Sequence, residues 1–187
     1  MSVWEIKKHL TPPMIQRVIL DNDERVYIGD PVKKLASGHA EQAAAAGSIF
    51  GHVLDIVDKN NNSMFGSTPS YTGAVTISGS PSSGYVTVAT DNETVDKIAA
   101  LVDVSPFTIY SAPITGTMNT TDTSSAGGGW VDIAVSTYVI TIDETTHTRT
   151  ITNGGQYYNW GVDPDDSTRM LVSISESEPF GPNKAKA

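Results

Sequence analysis

Tyr138-Val139-Ile140-Thr141-Ile142, then Asp143-Glu144-Thr145-Thr146, then His147-Thr148-Arg149-Thr150-Ile151 is the stretch whose reading decides the fold class. β-Branched residues alternate with polar ones on both sides of a four-residue polar cluster, the pattern of two strands joined by a turn. The spacing therefore predicts a hairpin. The same period of two recurs outward at residues 107–111, 130–135 and 170–174. Toward the N-terminus it recurs at 16–20, 25–28, 73–78 and 85–90, with turn formers between the runs. Gly79-Ser80-Pro81-Ser82-Ser83-Gly84 joins the last two runs and predicts a second hairpin or a pair of adjacent strands. Ile49-Phe50-Gly51-His52-Val53-Leu54-Asp55-Ile56-Val57 reads as a buried strand.

Helical spacing appears only at residues 94–104. There Val95, Ile98, Ala99 and Val102 recur at three and four residues after a possible cap at Asp91-Asn92, which predicts a helix. Ala43-Ala44-Ala45-Ala46 is either a loop or one helical turn. Residues 58–71 are rich in Asn, Ser and Gly and read as a long surface loop, and residues 119–129 end in three glycines as a break in the strand series. No repeat of about 20–50 residues occurs, which excludes a solenoid or propeller. The expected fold is mainly β, a small β-barrel or β-sandwich with a β-rich insertion, an extended N-terminal arm and a C-terminal tail. The expected division is an arm at 1–15, a core of 16–57 with 130–178, an insertion at 58–129 and a tail at 179–187.

The 187 residues carry 12 Lys plus Arg against 21 Asp plus Glu, a formal charge of −9, with 39% hydrophobic content. That acidity opposes nucleic-acid backbones and anionic membrane surfaces, so neither is an expected partner. The absence of cysteine excludes a disulfide scaffold, a thiolate metal site and a cysteine nucleophile. No apolar stretch has the length of a signal core or of a span of about 20 residues, which predicts a soluble chain. In the N-terminal arm, Val3, Trp4, Ile6 and Leu10 are isolated apolar residues ahead of Thr11-Pro12-Pro13. Such an arm either packs on its own domain or stays loose, or it grips a neighbouring subunit. The second reading makes Val3, Trp4, Ile6 and Leu10, with Phe180 in the tail, the candidate partner-binding residues. It also predicts that deleting residues 1–14 leaves the fold intact.

Tests for chemistry return little. Asp58, Asn60 and Asn62 begin like a calcium loop, but Ser63 stands where the sharp turn needs Gly and Pro69 where a closing Glu belongs. Asp163, Asp165 and Asp166 suit a turn and strand cap as well as a hard cation. His9, His39, His52 and His147 are scattered without ligand spacing, and no nucleophile elbow, phosphate loop or dinucleotide fingerprint is present. No enzyme activity, metal or cofactor is expected. Tyr157-Tyr158-Asn159-Trp160 raises a carbohydrate-binding module of a tail fibre or spike as the alternative function. Its competitor is ordinary alternation, with Tyr157 and Asn159 on one face and Tyr158 and Trp160 on the other.

Two blocks resemble the decoration, or cement, proteins of tailed-bacteriophage heads. The first is Tyr27-Ile28-Gly29-Asp30-Pro31-Val32, then the alanine run to Gly47, then Ile49-Phe50-Gly51-His52-Val53-Leu54; the second is residues 161–178, from Gly161-Val162-Asp163-Pro164 to Ser175-Glu176-Ser177-Glu178. The resemblance implies a small β-barrel virion protein on the outer surface of the capsid. It would bind the major capsid protein at capsomer junctions, commonly as a homotrimer, and oppose internal DNA pressure. The long middle, residues 58–129, departs from a minimal cement protein.

Overall fold

A computed structural model describes residues 4–45, 47–66, 68–80, 83–115, 127–149, 155–177 and 181–182. The strands are β1 (Glu5–His9), β2 (Ile15–Ile19), β3 (Arg25–Tyr27), β4 (Pro31–Lys34), β5 (Ala40–Gln42), β6 (Gly51–Val57), β7 (Thr76–Ser78) and β8 (Tyr85–Thr87). They continue as β9 (Ala99–Asp103), β10 (Thr108–Thr115), β11 (Trp130–Ser136), β12 (Val139–Thr148), β13 (Tyr157–Asp163), β14 (Asp166–Ile174), β15 (Glu176–Ser177) and β16 (Gly181–Pro182). No helix occurs among the described residues, so the protein is all-β.

The chain divides into two compact units. One comprises Met1–Pro13, Ala44–Ile49 and Ser105–Ala187; the other comprises Met14–Ala43 and Phe50–Val104. This corrects the expected core of 16–57 with 130–178 and the insertion at 58–129. Residues 58–104 do not form an appendage, because β9 pairs with both β2 and β6 and so lies inside the sheet of its own unit.

In the first unit β10, β12, β11, β13 and β14 pair in that order, and β14 pairs back onto β10, which closes a five-stranded barrel. The β10–β12 pair is parallel and the others are antiparallel. Alternate residues point inward: Tyr110, Ala112, Val131, Ile133, Ile140, Ile142, Tyr157, Met170, Val172 and Ile174 are buried. The expected reversal at 143–146 does not occur, since β12 runs straight through it. Asp143 accepts hydrogen bonds from the Thr145 N–H and hydroxyl, a local turn motif. The motif makes a bulge instead, because Trp130 pairs with Thr148 while Asp132 already pairs with Asp143. The real reversal is the β11–β12 turn at Thr137, whose φ is 46°.

In the second unit β2-β9-β6-β4-β5 form an antiparallel sheet and β3-β8-β7 a smaller one. Val18, Leu20, Val26, Phe50, Val53, Ile56, Val86, Val88, Ile98 and Val102 share its core. The β7–β8 hairpin is present as expected, with Ile77 opposite Val86. The expected helix at 94–104 is instead a turn followed by β9. β9 is buried on both faces and loses its alternation, so Ala99 and Val102, with Val95 and Ile98 ahead of the strand, mimic a helical stripe. The Gly29-to-Val32 and Phe50-to-Val53 segments lie side by side. Gly29 N–H donates to the Val53 carbonyl at 2.8 Å, Val53 N–H to that of Asp30 at 3.0 Å, and Phe50 N–H to that of Val32 at 2.8 Å. Gly51 sits so close to β9 that a Cβ there would run into the Asp103 carbonyl.

Candidate functional site

The N-terminal segment is strand rather than loose arm. β1 pairs antiparallel with β10, and Leu10 N–H continues the ladder to the Phe107 carbonyl at 3.0 Å. Trp4 is 3% exposed, packs on Tyr157 at 5.2 Å between ring centroids, and donates Nε1–H to the Ile140 carbonyl at 3.0 Å. Its ring therefore belongs to the barrel and is withdrawn from the partner-binding set; a large apolar surface with one polar tip is stable only where both are satisfied.

Lys7 is the extra residue of a β-bulge between Ile6 and Lys8. The bulge aims its ammonium at Asp163, 3.2 Å away, and Asp165, 3.3 Å away. Those bonds, that to Asp163 foremost, hold the Lys7 pKa above its ordinary value. Burial pushes the Asp163 carboxyl up, but the Ser111 hydroxyl, the Asp165 N–H and Lys7 together outweigh it and hold it below the usual carboxylate range. Arg169 donates to both the hydroxyl and the carbonyl of Ser111 and completes the network.

Trp4 and Lys7 thus fasten the strand, and it presents other side chains outward. Ile6 is 41% exposed, Leu10 just past the strand's end 46%, and Phe107, whose carbonyl ahead of β10 takes the Leu10 N–H, 53%. β1 stands at the end of the sheet order, paired among the described residues only with β10. The result is an anchored edge strand dotted with apolar side chains, a geometry that can take a second chain along its rim. Val3 and Phe180, the other two sequence candidates, lie outside the described residues.

The acidic motifs are turns. Asp58 is buried and accepts from the N–H groups of Asn60, Asn62 and Ser70 and from the Asn62 amide, so protein donors occupy both its oxygens. Asp166 accepts from the Thr168 N–H and hydroxyl at the β13–β14 turn. The aromatic cluster alternates: Tyr157 and Asn159 are buried, Tyr158 is half-buried and Trp160 is 48% exposed. Trp130 joins it from β11, with ring centroids 6.0 Å from Tyr158 and Tyr158 5.1 Å from Trp160, each pair edge to face. Rings set edge to face do not share a flat platform, so Trp160 is the one broadly open ring of the row.

Three of the four histidines bind backbone or a hydroxyl: His9 to Thr108, His52 to the Gly29 carbonyl and His147 to the Gly128 carbonyl. His39 alone among them is gathered with two carboxylates, those of Asp21 and Glu93. No spacing in the sequence points to that group, whose members lie on three separate loops. An open cleft of ≈ 270 Å³ lies beside it, lined by β2 residues, Lys34, Phe50 and the Ser37-Gly38-His39 turn. No protein-family model, curated protein or solved structure matches this chain.

Proposed function

We propose that this protein is a decoration protein of a tailed-phage capsid, docking on the outer surface of the expanded head at capsomer junctions and stabilising it. The observation that carries the reading is the anchored edge strand: Ile6 within it and Leu10 just past its end stand exposed beside a strand that Trp4 and Lys7 fix to a closed barrel. A rigid edge binds with little ordering cost, so most of its apolar contact becomes affinity. The formal charge of −9 would keep the free protein and the decorated particle dispersed. The resemblance of the two sequence blocks to cement proteins supplies the partner, the major capsid protein, and the expected homotrimer. Its mechanism is differential binding, since a protein that prefers the expanded shell shifts the equilibrium toward it. No chemical step is involved.

The test is co-sedimentation with undecorated, expanded heads, followed by heating the particles with and without the protein. Saturable binding and a higher rupture temperature are expected. Ile6→Ser combined with Leu10→Ser should weaken occupancy tenfold or more and change folding stability by only about 1 kcal/mol, since both side chains are exposed. Unchanged occupancy in that variant removes the edge from the mechanism, and no binding by the parent protein removes the reading. The exposed ring of Trp160 favours the second reading, a carbohydrate-binding module. Glycan-array binding abolished by Trp160→Ala would replace decoration with it.

A further inference from the structure

Asp21 follows β2, His39 lies in the turn between β4 and β5, and Glu93 lies in the turn before β9. One ligand atom from each falls within 4.8 Å of the other two. We propose that these three side chains form a binding site for a first-row divalent cation, with zinc as the type ion.

Hydrogen bonds among the three loops place them before any ion arrives. Asp21 N–H donates to the Ala40 carbonyl at 2.8 Å, beside His39, and Glu93 N–H donates to Asn22 Oδ1 at 3.1 Å, beside Asp21. The buried Asn92 amide, next to Glu93, donates to the Leu20 carbonyl at 2.7 Å, next to Asp21. Each ligand's neighbour is therefore tied to another ligand's neighbour, so the triangle of donors is fixed by the fold rather than by chance meeting of side chains.

The donor set has the right chemistry. One imidazole nitrogen and two carboxylates suit zinc, which takes His nitrogen and carboxylate oxygen at about 2.0–2.2 Å and so spaces its ligand atoms roughly 3.3 Å apart. His39 Nδ1 is closed to solvent and lies 3.0 Å from Glu93 Oε1, an ion pair when the imidazole is protonated. A bound cation would take the place of the imidazole proton between that nitrogen and that oxygen. All three residues are half-buried, and His39 borders the open cleft, which leaves an approach for the ion and a fourth position for water or a ligand. A bound ion would staple the β2 exit, the β4–β5 turn and the segment before β9, and would stabilise the unit that holds them. This assignment is independent of the docking reading, which concerns the other unit.

Chelator-dialysed full-length protein titrated with zinc by calorimetry tests it, with cobalt absorption as a reporter of coordination. One saturable site per chain is expected, with cobalt bands of a four- or five-coordinate ion and a raised thermal midpoint. His39→Ala and, separately, Glu93→Gln should each weaken binding tenfold or more and abolish the midpoint rise, while His147→Ala should leave both unchanged. Absence of a one-to-one site, or the same affinity in the His39 and Glu93 variants, overturns the proposal. Circular dichroism of the metal-free variants separates lost binding from lost fold.

Discussion

Trp4→Ala is expected to lower the stability of the barrel unit by about 4 kcal/mol, the range for emptying a large buried aromatic site and stranding one carbonyl. Trp4 is 3% exposed, its ring lies against Tyr157, and its Nε1–H occupies the Ile140 carbonyl. Trp4→Phe should recover part of the loss, because it keeps ring contact with Tyr157 but forfeits the hydrogen bond, worth about 1 kcal/mol, and leaves a cavity where the larger ring stood. Removing residues 1–14 should be worse than either, since it also takes away β1 and the Lys7 bonds to Asp163 and Asp165. That reverses the expectation, drawn from isolated apolar residues, that the segment can be deleted without harm to the fold. The readout is urea unfolding followed by tryptophan fluorescence in the truncated chain and in Trp4→Phe, and by near-ultraviolet circular dichroism throughout. All three tryptophans, Trp4, Trp130 and Trp160, belong to the barrel unit, so the signal reports that unit and not the other. A Trp4→Ala protein within about 1 kcal/mol of the parent would show that the ring does not hold the barrel.

The reason this residue misled a reading of the sequence is local. Trp4 and Ile6 flank Glu5 in an alternation too short to tell a buried strand from an exposed arm, and the burial of Trp4 comes from Tyr157 and Ile140, more than a hundred residues away. Strands with their own alternation, such as β7, β8 and β11, are legible because period two is written into a few consecutive residues. β9 is not, because a strand covered on both faces loses its alternation, and the three- and four-residue spacing of Val95, Ile98, Ala99 and Val102 then imitates a helix. Asp143-Glu144-Thr145-Thr146 has the composition of a reversal, yet the pairing of β11 on both sides of it turns the same side-chain bonds into a bulge. The features of the two proposals divide the same way. Ile6 and Leu10 were visible as isolated apolar residues, whereas Asp21, His39 and Glu93 meet only because β2 and β5 bring Leu20 and Ala40 together and Asn92 closes the loop behind them.

The second large effect lies in the other unit, where two buried titratable groups oppose one another across the acid range. Burial pushes the Asp30 carboxyl up to about 7, against the smaller pull of the Gln42 amide. Burial also pulls His52 down to about 4, although its Nδ1–H donates to the Gly29 carbonyl. A histidine whose pKa is lowered on folding contributes stability above its unfolded value of 6.5, and that contribution is lost as pH falls from 6.5 toward 4. A carboxyl whose pKa is raised contributes stability below its unfolded value of 3.8, and that contribution is lost as pH rises from 3.8 toward 7. At about 1.4 kcal/mol per unit, the full contribution is about 3–4 kcal/mol for His52 and about 4–5 kcal/mol for Asp30, and between pH 4 and 6.5 the two slopes nearly cancel. Glu24, also raised by burial, adds a weaker slope of the same sign as Asp30. The parent unit should therefore change little in stability across that window. Below it stability should fall steeply, as Asp58 and Asp96, held under the usual carboxylate range by their donors in spite of burial, take up protons. Single substitutions unmask the hidden slopes. With Asp30→Asn, His52 is left unopposed, and stability should drop by about 3 kcal/mol from pH 6.5 to pH 4. His52→Asn keeps a donor for Gly29 and leaves Asp30 unopposed, so stability should drop by a similar amount as pH rises from 4 to 7. Amide exchange at Val53 and Val102, in neighbouring strands of this unit, reads the difference without tryptophan. Parallel pH profiles for the two variants would mean that neither group carries its burial into stability, whereas profiles of opposite slope assign the flat parent curve to a balance between an acid kept protonated and a base kept neutral.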